Sequence, residues 1–191
     1  VGNFKDQIQK EFVIEEPNIA DCYVSVEPQT YDGVEKTPKP VVTNKAGKVL
    51  QGNVDYTLSY ENNLLPKGLA GNQPKLTVSG INAYQGSKLV NFTINKGNLA
   101  TDVELVAIPD QTYNGGIDVI PTLGDDIVLK NKKSGIEVRL NDTYYSLNVK
   151  NAKVVGKATG TITPRSGGQA TPAYTGSFPI EYNIVPRESN A

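Results

Sequence analysis

The sequence predicts an all-β protein made of two tandem β-sandwich modules of about seven short strands each. Three observations carry this. Apolar residues alternate with polar ones along most segments. Turn residues recur about every 8 to 12 positions, supplied by 18 Gly and 12 Pro. The chain also repeats itself: Asn82-Ala83-Tyr84-Gln85-Gly86-Ser87 returns 90 residues later as Pro172-Ala173-Tyr174-Thr175-Gly176-Ser177.

Two further anchors fall in the same order. Gln29-Thr30-Tyr31-Asp32-Gly33 returns as Gln111-Thr112-Tyr113-Asn114-Gly115, each followed by a proline, Pro38 or Pro121. Tyr56-Thr57-Leu58-Ser59-Tyr60-Glu61-Asn62 returns as Tyr145-Ser146-Leu147-Asn148-Val149-Lys150-Asn151. The offset grows from 82 to 90 along the repeat, which predicts an insertion in the second copy. The sequence points to residues 130–135 for it, as a lengthened surface loop.

The elements follow in order. Residues 1–17 read as the closing strand of a preceding, truncated module: Gly2-Asn3-Phe4 matches Asn82-Ala83-Tyr84, and Phe12 and Ile14 match Phe92 and Ile94. Such a strand is expected to pair with a sheet edge, because its backbone groups need partners. Module one is expected over 18–97. It carries the alternating sets Tyr56, Leu58, Tyr60 and Leu76, Val78, and closes with Val90, Phe92, Ile94. Module two is expected over 98–186, with Val103, Leu105, then Tyr145, Leu147, Val149, and a closing set Ile180, Tyr182, Ile184. Residues 187–191 read as a tail. The junction Asn95-Lys96-Gly97-Asn98 is short, which limits bending between modules. Tyr84, Tyr174, Tyr31 and Tyr113 are expected to pack at the ends of the sandwiches. No window shows a sustained 3.6-residue apolar period; the best helix candidate, Asn3 to Phe12, is overruled by its alignment with two strands.

Composition excludes much chemistry. The 191 residues include no His, Met or Trp and one Cys. Without imidazole a Ser-His-Asp or Cys-His nucleophile cannot be assembled, and zinc would lack its usual ligands. Cys22 has no internal disulfide partner and reads as a small buried residue. With 19 basic and 20 acidic residues the charge is balanced, which argues against a nucleic-acid or membrane-surface patch. No apolar run approaches the ~20 residues of a membrane span. No signal peptide is visible and the chain begins inside a strand-like segment, so it reads as a piece of a longer protein.

The order of motifs resembles a known family. Gln-Thr-Tyr-Asp-Gly with a downstream Pro is followed by Asp55-Tyr56-Thr57-Leu58-Ser59-Tyr60-Glu61-Asn62-Asn63, then Ala70-Gly71, Val78-Ser79-Gly80, Ala83-Tyr84-Gln85-Gly86 and Phe92-Thr93-Ile94. This is similar to the bacterial immunoglobulin-like (Big-type) tandem repeats of surface and secreted proteins of Gram-positive bacteria. The resemblance implies two immunoglobulin-like modules, an extracellular setting at the cell wall or in secreted form, and no shared catalytic or metal residues. The second copy departs from the pattern, with Val155-Gly156-Lys157-Ala158 standing where the first has Ala-Gly.

Carboxylate pairs, as glycosidases use, occur at Glu15 with Glu16, Asp125 with Asp126, and Asp102 with Glu104; all read as solvated. Asp125, Asp126, Asn141 and Asp142 could offer oxygen ligands to calcium but lack a calcium-loop spacing. Asn91 and Asn183 could join a lysine in an isopeptide staple, but both fall on the face opposite the apolar set. Ser166-Gly167-Gly168 lacks the context of a phosphate loop. No cofactor and no metal are expected.

The function expected is a non-catalytic stalk or spacer in a multidomain surface protein, with neighbouring repeats as partners. The alternative is an adhesin-like module binding a host or cell-wall protein or glycan. For that, the candidate loop residues are Lys130, Lys132, Lys133 and Arg165, because loops that diverge between repeats are free to specialise.

Overall fold

The structure, a computed structural model, describes residues 16–166 and 172–188. The strand expected over 1–17 falls, up to residue 15, outside the described residues. The described chain is β-rich and sandwich-like. Helix is confined to one four-residue segment, α1 (Leu99–Asp102), and to two 3-10 turns, Ile19–Asp21 and Leu69–Gly71.

The first half carries β1 (Tyr23–Ser25), β2 (Gln29–Thr30), β3 (Val41–Thr43), β4 (Tyr56–Glu61), β5 (Lys75–Gly80), β6 (Ser87–Asn91) and β7 (Ile94–Asn95). Strands β4, β5 and β6 form an antiparallel sheet in that order; β1 pairs antiparallel with β3, and β2 pairs parallel with β7. The second half carries β8 (Gly97–Asn98), β9 (Val103–Ala107), β10 (Gln111–Thr112), β11 (Val128–Asn131), β12 (Glu137–Val138), β13 (Tyr145–Lys150), β14 (Gly156–Pro164), β15 (Tyr174–Thr175) and β16 (Phe178–Val185). One sheet has the order β10-β16-β14-β13 and another β12-β11-β9, while β15 pairs parallel with β8.

The buried apolar side chains fall into two clusters. One holds Ile19, Val42, Leu76, Val78, Phe92 and Ile94, with Cys22 and Tyr84 also buried. The other holds Leu99, Leu129, Ile162, Tyr174, Ile180 and Ile184. Both are built by alternation, which places every second residue of a strand on the core side. In β16 the core set is Ile180, Tyr182 and Ile184, as the alternation predicts. Leu105 departs from its pattern: it is 37% exposed although it pairs with fully buried Leu129. The register of β9 on β11 shifts between Val128 and Leu129, and only Val103 of β9 is buried.

The start of each half is built alike. Asn18 caps the 3-10 turn, its Oδ1 accepting from Ala20 N at 2.9 Å; Asn98 caps α1, its Oδ1 accepting from Ala100 N at 2.9 Å. Gly86 and Gly176 sit against these caps with φ of +69° and +71°. A Cβ on either would lie 2.3 or 2.2 Å from the Asn Oδ1. Both positions therefore require glycine twice over, for conformation and for space.

Pairing corrects the placement of the insertion. Val42 pairs with Val24, and Leu129 with Leu105, so the offset has reached 87 by the middle of β11. Five of the extra residues therefore lie before that strand, where Thr122 to Ile127 form a turn closed by Asp126 and Ile127 N donating to Thr122 O at 3.1 and 3.2 Å. The hairpin over residues 130–135 is longer by a single residue. It runs from Lys130 to Glu137, where the first half runs from Thr43 to Val49. Lys130 itself is part of β11 and not of a loop.

A second correction concerns Ala70-Gly71. These residues belong to a long connection, residues 62–74, between β4 and β5. In the second half β13 reaches β14 through residues 151–155 alone, and Gly156 already pairs with Ile184. Val155-Gly156 is therefore not the counterpart of Ala70-Gly71; that connection has none.

Candidate functional site

The features that bring the two halves together converge on the turn after β2. Tyr31 packs against both clusters. Its ring meets that of Tyr174 at 5.3 Å between centroids and 69° between planes, an edge-to-face pair. The chain crosses from β7 to β8 through Lys96 alone. Gly97 N donates to Ala173 O at 3.1 Å, and Thr175 Oγ1 donates to Gly97 O at 3.1 Å. A Cβ on Gly97 would stand 2.5 Å from the Tyr174 ring and 3.0 Å from Tyr31 O, so a side chain there would force the ring away.

The β11–β12 hairpin completes the contact. Asn131 is 1% exposed, and its Oδ1 accepts from Lys133 N and Ser134 N at 2.9 and 3.1 Å. That fixes the loop so that Ser134 Oγ donates to Asp32 O at 2.6 Å. Ile136 Cγ2 lies 3.1 Å from where a Gly33 Cβ would be. Behind this turn, Asp32 and Lys36 form a buried ion pair. Asp32 Oδ1 also accepts from Val34 N, and Lys36 is held by Asn63, whose Nδ2 donates to Lys36 O at 3.0 Å. A buried pair is costly unless so bonded, and its loss of one partner costs more than a surface pair's. The counterpart turn of the second half, Asn114-Gly115-Gly116, is exposed.

A groove of about 340 Å³ opens beside the contact. Tyr31, Leu65 and Leu69 line it from the first half, and Leu140, Tyr144 and Tyr145 from the second. Leu65 and Leu69 belong to the long connection, residues 62–74, which in the second half is cut to residues 151–155. Burial pushes the Tyr145 phenol up to about 12; Tyr174 N, donating to its oxygen at 3.1 Å, opposes this. Burial likewise pushes Tyr174 up to about 12, opposed by the nearby Asn131 side chain. The Asn131 amide lies close enough to favour the ionised form, yet it is not placed to hydrogen-bond: the Tyr174 hydroxyl is the one buried side-chain polar atom without a partner among the described residues. Tyr31 is raised as well, first by burial and then by the charge of Asp32. At neutral pH these phenols stay protonated, so they offer ring faces and O–H donors and do not act as general bases.

The expected site residues lie as follows. Lys130 pairs with Glu104 at 3.0 Å across the β9–β11 sheet. Lys132 Nζ donates to Thr101 O at 3.0 Å, and its backbone N to Asp102 O at 2.8 Å. Lys133 donates its backbone N to Asn131. Arg165 Nε donates to the carbonyls of Asp142 and Tyr145 at 2.7 and 3.0 Å, anchoring the turn before β13. The lysines are gathered on one hairpin; Arg165 makes none of their contacts. Asp102 caps Asn98 N at 2.8 Å and Asp126 accepts from Thr122 N at 2.7 Å, so both carboxylates serve their own turns. Among the described residues no group of three or more Asp, Glu or Cys converges as metal ligands would. Asn91 and Asn183 are exposed, Asn183 Nδ2 donating to Asp110 Oδ1 at 3.2 Å.

Sequence reasoning missed the contact between the halves. The signal available was Gly97 itself, which reads as a linker glycine but stands where the first copy has Pro17, the residue before Asn18. Among the described residues no helix is long and apolar enough to cross a membrane. Comparison with protein-family models, with curated proteins and with solved structures finds no match.

Proposed function

We propose that this chain is a pair of tandem immunoglobulin-like modules serving as a non-catalytic stalk or spacer of an extracellular bacterial surface or secreted protein. The module boundaries are those the repeat predicts, 18–97 and 98–186. The observation that carries the reading is the direct contact between the halves: Lys96 is the only residue between β7 and β8, and Tyr31, Ser134 and Gly97 hold one half against the other. A spacer works by fixing the separation of its ends, and a joint with no free linker does that. Without histidine the sequence has no Ser-His-Asp or Cys-His nucleophile system, which removes one common route to hydrolysis.

The adhesin reading gains less support. Its candidate hairpin spends Ser134 on the contact with the first half, Asn131 on fixing its own loop, and Lys130 and Lys132 on local partners. A glycan array and a pull-down from host and cell-wall extracts test the choice. The spacer reading expects no saturable binding at micromolar concentration; reproducible saturable binding, lost on replacing Lys132 and Lys133, would replace it with the adhesin.

A further inference from the structure

We propose that the chain is built to carry tension along its length, with the parallel pairs between each half's leading segment and its closing strand acting as shear clamps. Among the described residues, every parallel pairing between segments distant in sequence has this form. Asn18 bridges Gln85 in parallel, with Ile19 N donating to Gln85 O at 2.9 Å and Gln85 N to Pro17 O at 3.0 Å. β2 runs parallel to β7, with Gln29 N donating to Thr93 O and Tyr31 N to Asn95 O, both at 2.9 Å. In the second half β8 runs parallel to β15 and β10 to β16, and Tyr113 N donates to Val185 O at 2.9 Å. Each closing segment is thus gripped near its start and again at its end.

Direction decides how such pairs fail. The leading segment of each half enters beside the start of the closing strand, and the chain leaves from that strand's end. Tension between these points runs along the closing strand and draws the parallel partners past one another. All the bonds of a pair are then loaded at once. An antiparallel pair opened from its end loses its bonds one at a time, and one interstrand bond contributes little net free energy alone. The two halves are loaded in series, since only Lys96 separates the last clamp of the first half from the first clamp of the second.

The inference rests on the spacer reading for its use in the cell, but its measurement does not. The test is single-molecule pulling of the full chain through its two ends. It is compared with pulling the same chain through Gln51→Cys and Ala83→Cys, exposed positions flanking the open end of the β4–β5 pair. End-to-end pulling should give two unfolding events, each at a force several-fold above that needed to open β4 from β5. Gln29→Pro, which removes the donor to Thr93 O, should lower one end-to-end event and leave the other as an internal reference. End-to-end forces at or below the β4–β5 opening force would overturn the clamp. So would a Gln29→Pro chain whose two events both match the parent's. If Gln29→Pro prevents the first half from folding, one event disappears, and the comparison of pulling directions on the parent fold decides alone. Discovery of a saturable ligand would remove the spacer reading and leave the pulling result standing.

Discussion

Tyr31 and Tyr174 meet edge to face across the boundary between the two halves of the chain, and Gly97 lies directly against the Tyr174 ring. Such a ring pair adds about 0.5–1.5 kcal/mol beyond the area it buries. Its larger consequence is geometric. The ring can sit there only because position 97 has no side chain.

Gly97→Ala is expected to cost about 1–3 kcal/mol, the range for forcing extra volume into packed space. It should also loosen the joint. Thermal unfolding measures the first effect and small-angle X-ray scattering the second. A variant with unchanged stability and scattering would show that the contact is not tight.

The two Asn-capped starts make a matched prediction. Gly47→Ala, at φ +81° with open space around it, should cost about 1–2 kcal/mol for the left-handed conformation alone. Gly86→Ala and Gly176→Ala should cost that and about 0.5–2 kcal/mol more for the displaced Asn cap. Urea titration of the three variants checks the order. The two capped sites should resemble each other more than either resembles Gly47.

Tyr145 and Tyr174 differ in what their hydroxyls do. Tyr145→Phe leaves Tyr174 N without its partner and should cost about 1–3 kcal/mol. Tyr174→Phe removes a buried hydroxyl that has no partner and should be neutral or stabilising. Both phenols are raised from an ordinary 10.0 to about 12, so the unfolded chain releases these protons first. Their contribution to stability is complete below pH 10 and is lost as pH rises through about 12. Stability followed from pH 9 to 12 should fall less steeply in either Phe variant.

Leu76→Ala and Ile162→Ala each empty a fully buried site, one in each apolar cluster, and should each cost about 2–5 kcal/mol. If the clusters belong to separate modules, calorimetry should show each substitution lowering a different transition. The effects of the double variant should add.

The strands were legible because alternation leaves a direct record in the chain. Ile180, Tyr182 and Ile184 fall on one face by alternation alone. The conserved geometry of the repeats was legible at Gly86 and Gly176, where the same tyrosine-turn-glycine run appears in both copies. Sequence offsets, however, count the residues gained between two anchors without saying where they sit. Hence the offsets point to residues 130–135 for an insertion of which most lies before β11, in the turn from Thr122 to Ile127, and they pair Ala70-Gly71 with a segment that is not its counterpart. Hydroxyl partners were also hidden. Tyr60 donates to Pro38 O at 2.8 Å from β4, while in the second half Tyr182 donates to Val119 O at 2.7 Å from β16. The two tyrosines occupy different strands, so matching residue to residue does not find the pair. The joint depends on contacts between residues 31–36 and residues 131–136 and 174, about 100 positions or more apart (Asp32 to Ser134, for example, are separated by 102), and local pattern carries no trace of them.

Amide correlation NMR of residues 98–191 produced alone tests most directly whether the second copy is a complete folding unit. A dispersed spectrum should result, superposable on that of the full chain except near Asn131 to Ile136, Tyr174 and the groove residues Leu140, Tyr144 and Tyr145. A collapsed spectrum, or shifts spread through β13, β14 and β16, would mean that the chain folds as one body and is not a pair of like modules.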